Sequence, residues 1–380
     1  MRSEDERKIA QDKFETMTLA LTGYKLYPVH LPYRRPVRWA GHAESGLDVM
    51  ILALETAGGL IGIGEAPVRL NWTAATLKSL GAVTEEIFMP RLMGNDLSDE
   101  AETTRFLRYV REHFLAKSMI DCAVWDLRAQ AAGVPLYEYL GGVGEVPVAW
   151  TVTRAAPEIM IAEAEEMVAR HGFTSLKIKT GQGFDIDTQV LAGIRAAVGP
   201  DVTFSADANR NYAPDEVASF TDILVEHGVK IAEDPTELHA DTTLDAVRKS
   251  SRLPLLVDNT CRSLDEAERF LAHGIDAISV KVPKTGIADS REIIRRADER
   301  GAAVHIGLGA VSSLGAVAAL GMAGSLKPHA NGLPSEESFF LQFAAEYVVT
   351  PLTVADGMVR LPDAPLNDGI DWDKVADFAA

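Results

Sequence analysis

The spacing of hydrophobic residues changes near residue 143. In residues 19–67 apolar side chains come in strand-like runs, two of which are joined by Ala57-Gly58-Gly59, a sequence that suits a hairpin turn. Residues 73–132 have the spacing of helices, with one apolar face formed by Ile120, Ala123, Val124, Leu127 and Ala131. This pattern predicts an α+β domain over residues 17–142.

Beyond residue 143, short β-branched runs alternate with helical stretches of about ten to fifteen residues, as in repeated βαβ units. Five runs end in an ionisable residue, with steps of 28, 26, 25 and 23 residues along the series Lys179, Asp207, Glu233, Asp258 and Lys281. This near-constant spacing indicates a repeat of one strand plus one helix. Further runs at 146–150 and 303–307, with room for an eighth strand near His329 to Leu333, predict an α/β fold: a (β/α)8 barrel of the modified TIM type over residues 143–344.

The two ends of the chain lie outside these domains. Residues 1–16 are charged throughout and lack the apolar core of a secretory signal, so we interpret them as an N-terminal arm. Residues 345–380 form a C-terminal segment. Residues 306–326 carry no charge over 21 positions, but their glycines and serines favour a buried strand and helix over a membrane span.

The net charge argues against nucleic acid as a partner. Asp and Glu number 55 and Lys and Arg 37, so the formal charge is −18 and the surface repels phosphate groups. Cys122 and Cys261 lie far apart, and neither has a neighbouring cysteine or histidine at the spacing of zinc ligands. We therefore expect a cytoplasmic protein without membrane or nucleic acid partners.

Three of the ionisable strand ends are carboxylates, at Asp207, Glu233 and Asp258. The carboxyl ends of parallel barrel strands share one rim, so these groups should converge there. A single aspartate in such a place often only caps the next helix. Three carboxylates together repel one another unless a cation holds them, and oxygen ligands favour Mg²⁺ over zinc. Asn209, two residues after Asp207, is a candidate to orient that ligand.

Lysines flank the carboxylates on both sides. Lys177 and Lys179 are two apart on one strand, so both point into the barrel mouth. Two adjacent cations lower each other's pKa toward the range of a general base. Lys281 lies four strands farther on, so a substrate between the lysines could lose a proton on one face and regain it on the other.

The chain carries an ordered set of motifs between Leu19 and about Asp371. They are Gly64-Glu65-Ala66-Pro67, Ile120-Asp-Cys-Ala-Val-Trp-Asp-Leu127, Gly133-Val-Pro-Leu-Tyr137, Leu140-Gly-Gly142, Lys177-x-Lys179, Asp207-Ala-Asn209, Glu233-Asp-Pro235, Asp258 and Lys281-x-x-Lys284-x-Gly286. This set resembles the enolase superfamily, in its muconate lactonizing enzyme-like subgroup (the mandelate racemase/muconate lactonizing enzyme family).

This resemblance implies roles for individual residues. Asp207, Glu233 and Asp258 would bind Mg²⁺, with Mn²⁺ able to substitute for it. Lys179 and Lys281 would be opposed acid/base residues, and Lys177 would help to neutralise an enediolate. The segment from about Ala345 would return to complete a capping domain over the barrel. We also expect a small carboxylate substrate and a homo-oligomer.

Four departures from the family pattern concern the surroundings of the site. Asp234 follows Glu233 where Gln is common, and Asn259 follows Asp258 where relatives usually have Glu. We expect Asp234 and Asn259 to support the metal ligands. Val311 stands where many relatives carry Glu, and residues 329–333 lack the paired aspartates with which dipeptide epimerases hold the substrate amine. A free-amine dipeptide is therefore a less favoured substrate.

Two cap loops are expected to determine the substrate. Arg34, Arg35 and Arg38 make the first loop basic, and they either bind a distal carboxylate or pair with the acidic barrel face. Trp39 and Trp72 either wall the site or pack between domains. The remaining candidates in these loops are His42 and Asn71.

The resulting hypothesis is a Mg²⁺-dependent enzyme that abstracts the proton α to a carboxylate and reprotonates the enediolate as a racemase or epimerase. A cycloisomerase or a dehydratase, a lyase, would use the same intermediate with one lysine as base. A Schiff-base aldolase acting through Lys281 needs no carboxylate triad and is disfavoured. The intact lysines and carboxylates also argue against a binding protein that has kept the barrel fold but lost catalytic activity.

Overall fold

A computed structural model describes residues 18–39, 42–326 and 333–380. The predicted N-terminal arm lies outside the described residues, as do positions 329–332 of the predicted eighth strand. The first described elements form an antiparallel sheet in the order β1 (Leu21–Trp39), β2 (His42–Thr56) and β3 (Ile61–Val68). Gly59 has a φ of 79° in the turn between β2 and β3, as expected for a glycine-rich hairpin.

Helices cover one face of this sheet. They are α1 (Leu70–Thr73), α2 (Leu77–Val83), a π-helical turn (Thr84–Phe88), α3 (Met89–Leu92), α4 (Glu100–Tyr109), α5 (Phe114–Ala131) and α6 (Leu136–Tyr139). The backbone of α5 approaches β3 so closely that a Cβ at Gly64 would overlap the carbonyl oxygen of Met119. The glycines of β3 are therefore required for α5 to pack on the sheet.

Seven parallel strands form the second sheet in chain order. They are β5 (Trp150–Val152), β6 (Ser175–Lys179), β7 (Thr203–Asp207), β8 (Val229–Glu233), β9 (Leu255–Val257), β10 (Ala277–Val280) and β11 (Ala303–Ile306). The outer helices are α7 (Pro157–His171), α8 (Phe184–Val198), α9 (Val217–Glu226), α10 (Thr243–Ser250), α11 (Leu264–Ala272), α12 (Val282–Arg300) and α13 (Ser313–Ser325). The predicted architecture, a (β/α)8-type barrel with a capping domain, is confirmed.

An irregular segment closes the barrel in the eighth position. Ser335 forms a parallel bridge with Val148, and the amide of Ala149 donates to the Ser335 carbonyl at 2.7 Å. On the other side, the amide of Glu336 donates to the carbonyl of Ile306 at 3.0 Å. The closing residues therefore lie just beyond the 329–333 region in which the sequence predicted a strand.

The run predicted as the first barrel strand is divided in two. Its first half, β4 (Glu145–Pro147), pairs with the C-terminal segment, whose strands are β12 (Val354–Ala355) and β13 (Met358–Arg360). Only β5 enters the barrel. The segment continues to α14 (Trp372–Asp377) and then contacts the cap, where the amide of Ala380 donates to the carbonyl of Pro28 at 3.0 Å.

No helix in the described part of the chain is long and apolar enough to cross a membrane. The uncharged stretch at 306–326 contains the end of β11 and all of α13. Both elements are buried against the protein core, as the sequence predicted.

Asp126 on α5 is a carboxylate buried inside the cap. Its carboxylate accepts hydrogen bonds from the Ile63 amide at 3.0 Å and from Gln130 Nε2 at 2.9 Å, and burial raises its pKa to about 7. An unfolded aspartate loses its proton near pH 4, so between these values the folded state binds more protons and stability falls as pH rises.

We therefore expect Asp126→Asn to remove part of this pH dependence. The free energy of unfolding of the wild type, measured with urea from pH 5 to pH 7, should decline relative to the variant by up to about 1.4 kcal/mol per pH unit. Asp377→Asn, at an exposed position, is the control. Parallel profiles for the wild type and Asp126→Asn would contradict this interpretation.

Candidate active site

A cavity of about 210 Å³ opens at the carboxyl ends of the barrel strands. Lys177 and Lys179 of β6 line one side, and Lys281, directly after β10, lines another. Because parallel strands all point their carboxyl ends to one rim, residues distant in sequence meet at this cavity. The structure thus brings together the three lysines that the sequence singled out.

Lys177 lies at the centre of a buried ionic network. Its Nζ is 2.7 Å from Glu233 Oε2, 2.9 Å from Glu336 Oε2 and 3.1 Å from Asp207 Oδ2. Burial lowers the pKa of Lys177, but attraction by Asp207 and the other carboxylates outweighs burial and raises it well above its ordinary value. The predicted mutual lowering of pKa by adjacent lysines is therefore not the dominant effect at Lys177.

Lys179 is held by β7. Its Nζ donates to Asp207 Oδ2 at 2.6 Å and to Asn209 Oδ1 at 3.3 Å. The backbone amide of Asn209 in turn donates to Asp207 Oδ1 at 2.8 Å. Burial alone would raise the pKa of Asp207, but Lys177 and Lys179 hold it far below its usual range. Asn209 therefore orients both Asp207 and the adjacent lysine.

Asp258 is bound by two lysines from the other side of the cavity. Its Oδ2 accepts from Lys281 Nζ at 2.6 Å and its Oδ1 from Lys284 Nζ at 2.7 Å. Burial lowers the pKa of Lys281, but attraction by Asp258 and Glu233 together with the hydrogen bond to Asp258 outweighs burial and raises it. Both ammonium groups are 5.8 Å from the centre of the Trp72 ring, so Trp72 forms a wall of this part of the site.

Asp234 and Asn259 support the strand that carries Asp258. The Asp234 carboxylate accepts from the amides of Asp258 at 3.2 Å and Asn259 at 2.8 Å, and from Asn259 Nδ2 at 2.6 Å. The two residues that depart from the family pattern therefore bind each other: the Asn259 side-chain amide donates a hydrogen bond to the Asp234 carboxylate.

The carboxylates that end β7 and β8 and follow β9 suit a divalent cation by ligand type, and of these Asp258 lines the cavity. Asp207, Glu233 and Asp258 offer only oxygen, the ligand type that Mg²⁺ prefers. Glu233 Oε1 is buried and has no hydrogen-bond partner among the described residues. Burial and repulsion from Asp207 raise the pKa of Glu233 well above its usual range, which a cation would reverse.

A second set of ligands lies deeper in the barrel. Ligand atoms of Glu233, His305 and Glu336 lie within 4.8 Å of one another and could hold a metal ion, whereas Asp207, Glu233 and Asp258 do not meet that distance as a group among the described residues. However, the Lys177 ammonium group binds carboxylates of both sets, so its charge does not separate them; the second set includes a histidine nitrogen, a ligand that suits zinc and other transition metals better than Mg²⁺. The set at the strand ends is therefore the better candidate for Mg²⁺.

Comparison with known families identifies the two domains. A model for the mandelate racemase/muconate lactonizing enzyme N-terminal domain matches residues 22–141, and an enolase C-terminal domain-like model matches residues 159–367. The chain belongs to the mandelate racemase/muconate lactonizing enzyme family of the enolase superfamily. The resemblance inferred from the motifs is thereby confirmed.

Members of this family with different reactions are similar to the chain. Chloromuconate cycloisomerase of Pseudomonas putida is 29% identical, covering 92% of this chain and 96% of the relative. L-Ala-D/L-Glu epimerase of Bacillus subtilis is also 29% identical, over 74% and 77% of the two chains. A dipeptide epimerase from Cytophaga hutchinsonii, solved with Mg and D-Ala-L-Val, has a TM-score of 0.86 at 25% identity, covering 94% of this chain and 98% of that one.

The cap residues predicted to determine the substrate do not all lie at the cavity. Trp72 lines the cavity, whereas Arg34 Nε donates to the Leu341 carbonyl at 3.2 Å. Arg35 pairs with the buried carboxylate of Glu163 on α7 at 2.8 Å. The side chains of four other candidates are outside those described: Arg38, Trp39, His42 and Asn71.

Several residues at the site were not identified from the sequence. Arg69, Arg154 and Arg210 line the cavity with the lysines. Arg154 could have been found two residues beyond β5, where a side chain points toward the same rim. Glu336 had no such signal, because the segment that carries it is not a regular strand.

We expect Mg²⁺ to bind the protein through Glu233 and Asp258. Glu233→Gln and Asp258→Asn should each weaken binding about tenfold or more in calorimetric titrations of EDTA-treated protein, a loss of about 1.4 kcal/mol. Glu237→Gln, an exposed position near Glu233, is the control.

His305→Gln distinguishes the two sets of ligands, because glutamine retains a donor that can reach the Pro334 carbonyl, the partner of His305 Nε2 at 2.7 Å. Mg²⁺ affinity should be nearly unchanged in this variant. A loss on His305→Gln without a loss on Asp258→Asn would assign the metal to the deeper set.

Proposed function

We propose that the protein is a Mg²⁺-dependent isomerase that abstracts the proton α to a substrate carboxylate and reprotonates the resulting enediolate on the opposite face. The reaction would be racemisation or epimerisation. The observation that carries this proposal is the presence of one lysine from β6 and another following β10 on the same 210 Å³ cavity.

The proposal assigns metal binding to Asp207, Glu233 and Asp258. Bound there, Mg²⁺ would supply positive charge where negative charge develops on the substrate carboxylate. Asn209, Asp234 and Asn259 keep the ligands in place through the hydrogen bonds described above. The dipeptide epimerase solved with Mg supports the choice of metal.

Proton transfer is assigned to Lys179 and Lys281. Each is held by hydrogen bonds, Lys179 to Asp207 and Asn209 and Lys281 to Asp258, so each ammonium group has a fixed position. A positioned base reaches only the face of the substrate that it fronts, at about 3 Å. Lys177 adds positive charge beside the carboxylates from its buried position.

The relatives support two reactions. The epimerases favour the two-base reaction, in which both lysines exchange protons. The cycloisomerases favour an alternative in which one lysine acts as the base and the same intermediate cyclises or, in a dehydratase, eliminates water. Only the two-base reaction uses both Lys179 and Lys281 for proton transfer.

Single lysine variants should separate the two halves of the reaction. In D₂O we expect Lys281→Ala to exchange the α-proton of one enantiomer and Lys179→Ala that of the other, as measured by NMR on a panel of α-substituted carboxylates. Overall turnover of each variant should fall by at least about a thousandfold, within the range for general acid–base groups. Lys249→Ala, on the exposed face of α10, is the control.

Two results would change the assignment. If Lys281→Ala exchanges neither enantiomer while Lys179→Ala turns over normally, the roles of the lysines are wrong. If the wild type gives only a cyclised or dehydrated product and no deuterated substrate of inverted configuration, the cycloisomerase or dehydratase alternative replaces the racemase.

Charge reversal of the arginines in the first cap loop tests whether the substrate carries a second anionic group. If this loop binds such a group, charge reversal at Arg34, Arg35 and Arg38 should raise KM about tenfold, the effect of losing one charge-assisted hydrogen bond. Lys249→Glu provides the same change of charge away from the cavity. An unchanged KM would show that the loop pairs with the barrel, as Arg35 does with Glu163.

A further inference from the structure

Strands β6 and β7 stop pairing directly after two residues of the site. Lys179 and Asp207 are the last paired residues of their strands, and the amide of Thr180 donates to the Asp207 carbonyl at 2.9 Å. Both chains then turn away from the sheet, with left-handed φ values of 86° at Gly181 and 45° at Asn209. The carbonyl groups beyond this point therefore lie outside the β6–β7 pairing.

Arg154, two residues after β5, supplies hydrogen bonds to both of these chains. Its Nε donates to the Thr180 carbonyl at 2.5 Å, and its Nη2 donates to the Ala208 carbonyl at 2.8 Å. Thr180 and Ala208 are fully buried, so their carbonyl groups need hydrogen-bond partners. One side chain thus links the residue after Lys179 to the residue after Asp207.

A guanidinium group suits this contact better than any other cation in proteins. It is planar and holds its N–H donors in a rigid fork, so two of its nitrogen atoms can donate to two separate carbonyl groups at once. Arg154 also lines the cavity that contains Lys179 and Lys281. The link between the two strand ends therefore lies at the site itself.

The loop after β6 has a second anchor on its outer side, at Asp187 on α8. The Asp187 carboxylate accepts from the amides of Gly181 at 2.7 Å and Gln182 at 3.2 Å, and from the hydroxyl of Tyr212. Loss of Arg154 would therefore release the cavity side of this loop, while Asp187 would still hold the loop to the barrel.

The other lysine of the proposed pair, Lys281, is held by different contacts. It follows β10, and its Nζ donates to Asp258 Oδ2 at 2.6 Å. Its carbonyl accepts from the Lys284 amide at 2.8 Å in the first turn of α12. In the part of the chain that the structure describes, the hydrogen bonds of the Arg154 side chain go only to the residues after β6 and β7. Losing these bonds should affect Lys179 and leave Lys281 in place.

We propose that Arg154 is a positioning residue that fixes the end of β6, and with it the Lys179 ammonium group, relative to Asp207. This inference rests on the proposed function, in which Lys179 transfers the proton on one face of the substrate. A base must reach that proton at about 3 Å, and a displacement of about 1 Å can lower a rate about a hundredfold. The face served by Lys281 would keep its rate.

Deuterium exchange measures the two faces separately. The enantiomer that Lys281→Ala still exchanges reports on Lys179, and the opposite enantiomer reports on Lys281. Initial rates of α-proton loss from each enantiomer are measured by NMR in D₂O at saturating Mg²⁺, with the α-substituted carboxylates that the wild type exchanges. In Arg154→Gln we expect the Lys179-dependent rate to fall at least about tenfold and the Lys281-dependent rate to stay close to that of the wild type.

Arg195 on α8 provides a matched control. Its Nη1 donates to the carbonyls of Gly199 at 2.8 Å and Val202 at 2.7 Å, directly before β7 and so at the opposite end of that strand from the cavity. Arg195 is half-buried, as Arg154 is, and it also binds backbone carbonyl groups. Arg195→Gln should therefore leave the ratio of the two exchange rates unchanged, even where it lowers the melting temperature.

Arg154→Lys separates positioning from charge and serves as the second variant if Arg154→Gln does not fold. Lysine keeps the cation but carries its donors on one nitrogen, so it should show the same selective loss. Wild-type rates in Arg154→Lys would assign the effect to charge and overturn the inference. Equal losses at both faces, or no loss at either, would also overturn it and leave the proposed function intact. Absence of exchange in the wild type would instead remove the proposed function and this inference with it.

Discussion

The Lys177 ammonium group holds three buried carboxylates that would otherwise repel one another. Asp207 and Glu233 end adjacent strands, and Glu336 belongs to the segment that closes the barrel, so one cation links β6, β7, β8 and the eighth position. Removing one partner of a buried ion pair typically costs about 3–5 kcal/mol, because it leaves an uncompensated charge. Both barrel closure and the arrangement of the candidate metal ligands depend on this contact.

The walls of the site are held from outside the barrel. On the cap helix α5, Asp121 accepts from the amides of Ile287 at 2.6 Å and Ala288 at 2.9 Å, where Gly286 interrupts α12 with a φ of 69°. This contact fixes the turn that follows Lys281 and Lys284. On β3, Glu65 accepts from Ser312 and from Tyr347 of the C-terminal segment. Cap, barrel and C-terminal segment therefore meet at the loops around one cavity.

The departures from the family pattern have structural counterparts. Asp234 and Asn259 hydrogen-bond to each other, so these two departures are complementary in the structure. Val311 is buried and brings no charge, but Glu337 from the closing segment bonds to the backbone on both sides of Ala310. A carboxylate is thus present behind this loop, although it comes from a different part of the chain and acts on the backbone.

The sequence alone determined the repeat of strands and helices, and with it the rim on which the lysines and carboxylates meet, because strand spacing and alternation are local properties. Tertiary structure decided the rest. Whether β4 joins the barrel or the C-terminal segment, and whether Arg35 faces the substrate or Glu163, depends on which partner the fold brings within about 3 Å. Glu336 acquired significance in the same way, since an irregular closing segment leaves no periodic pattern in the sequence.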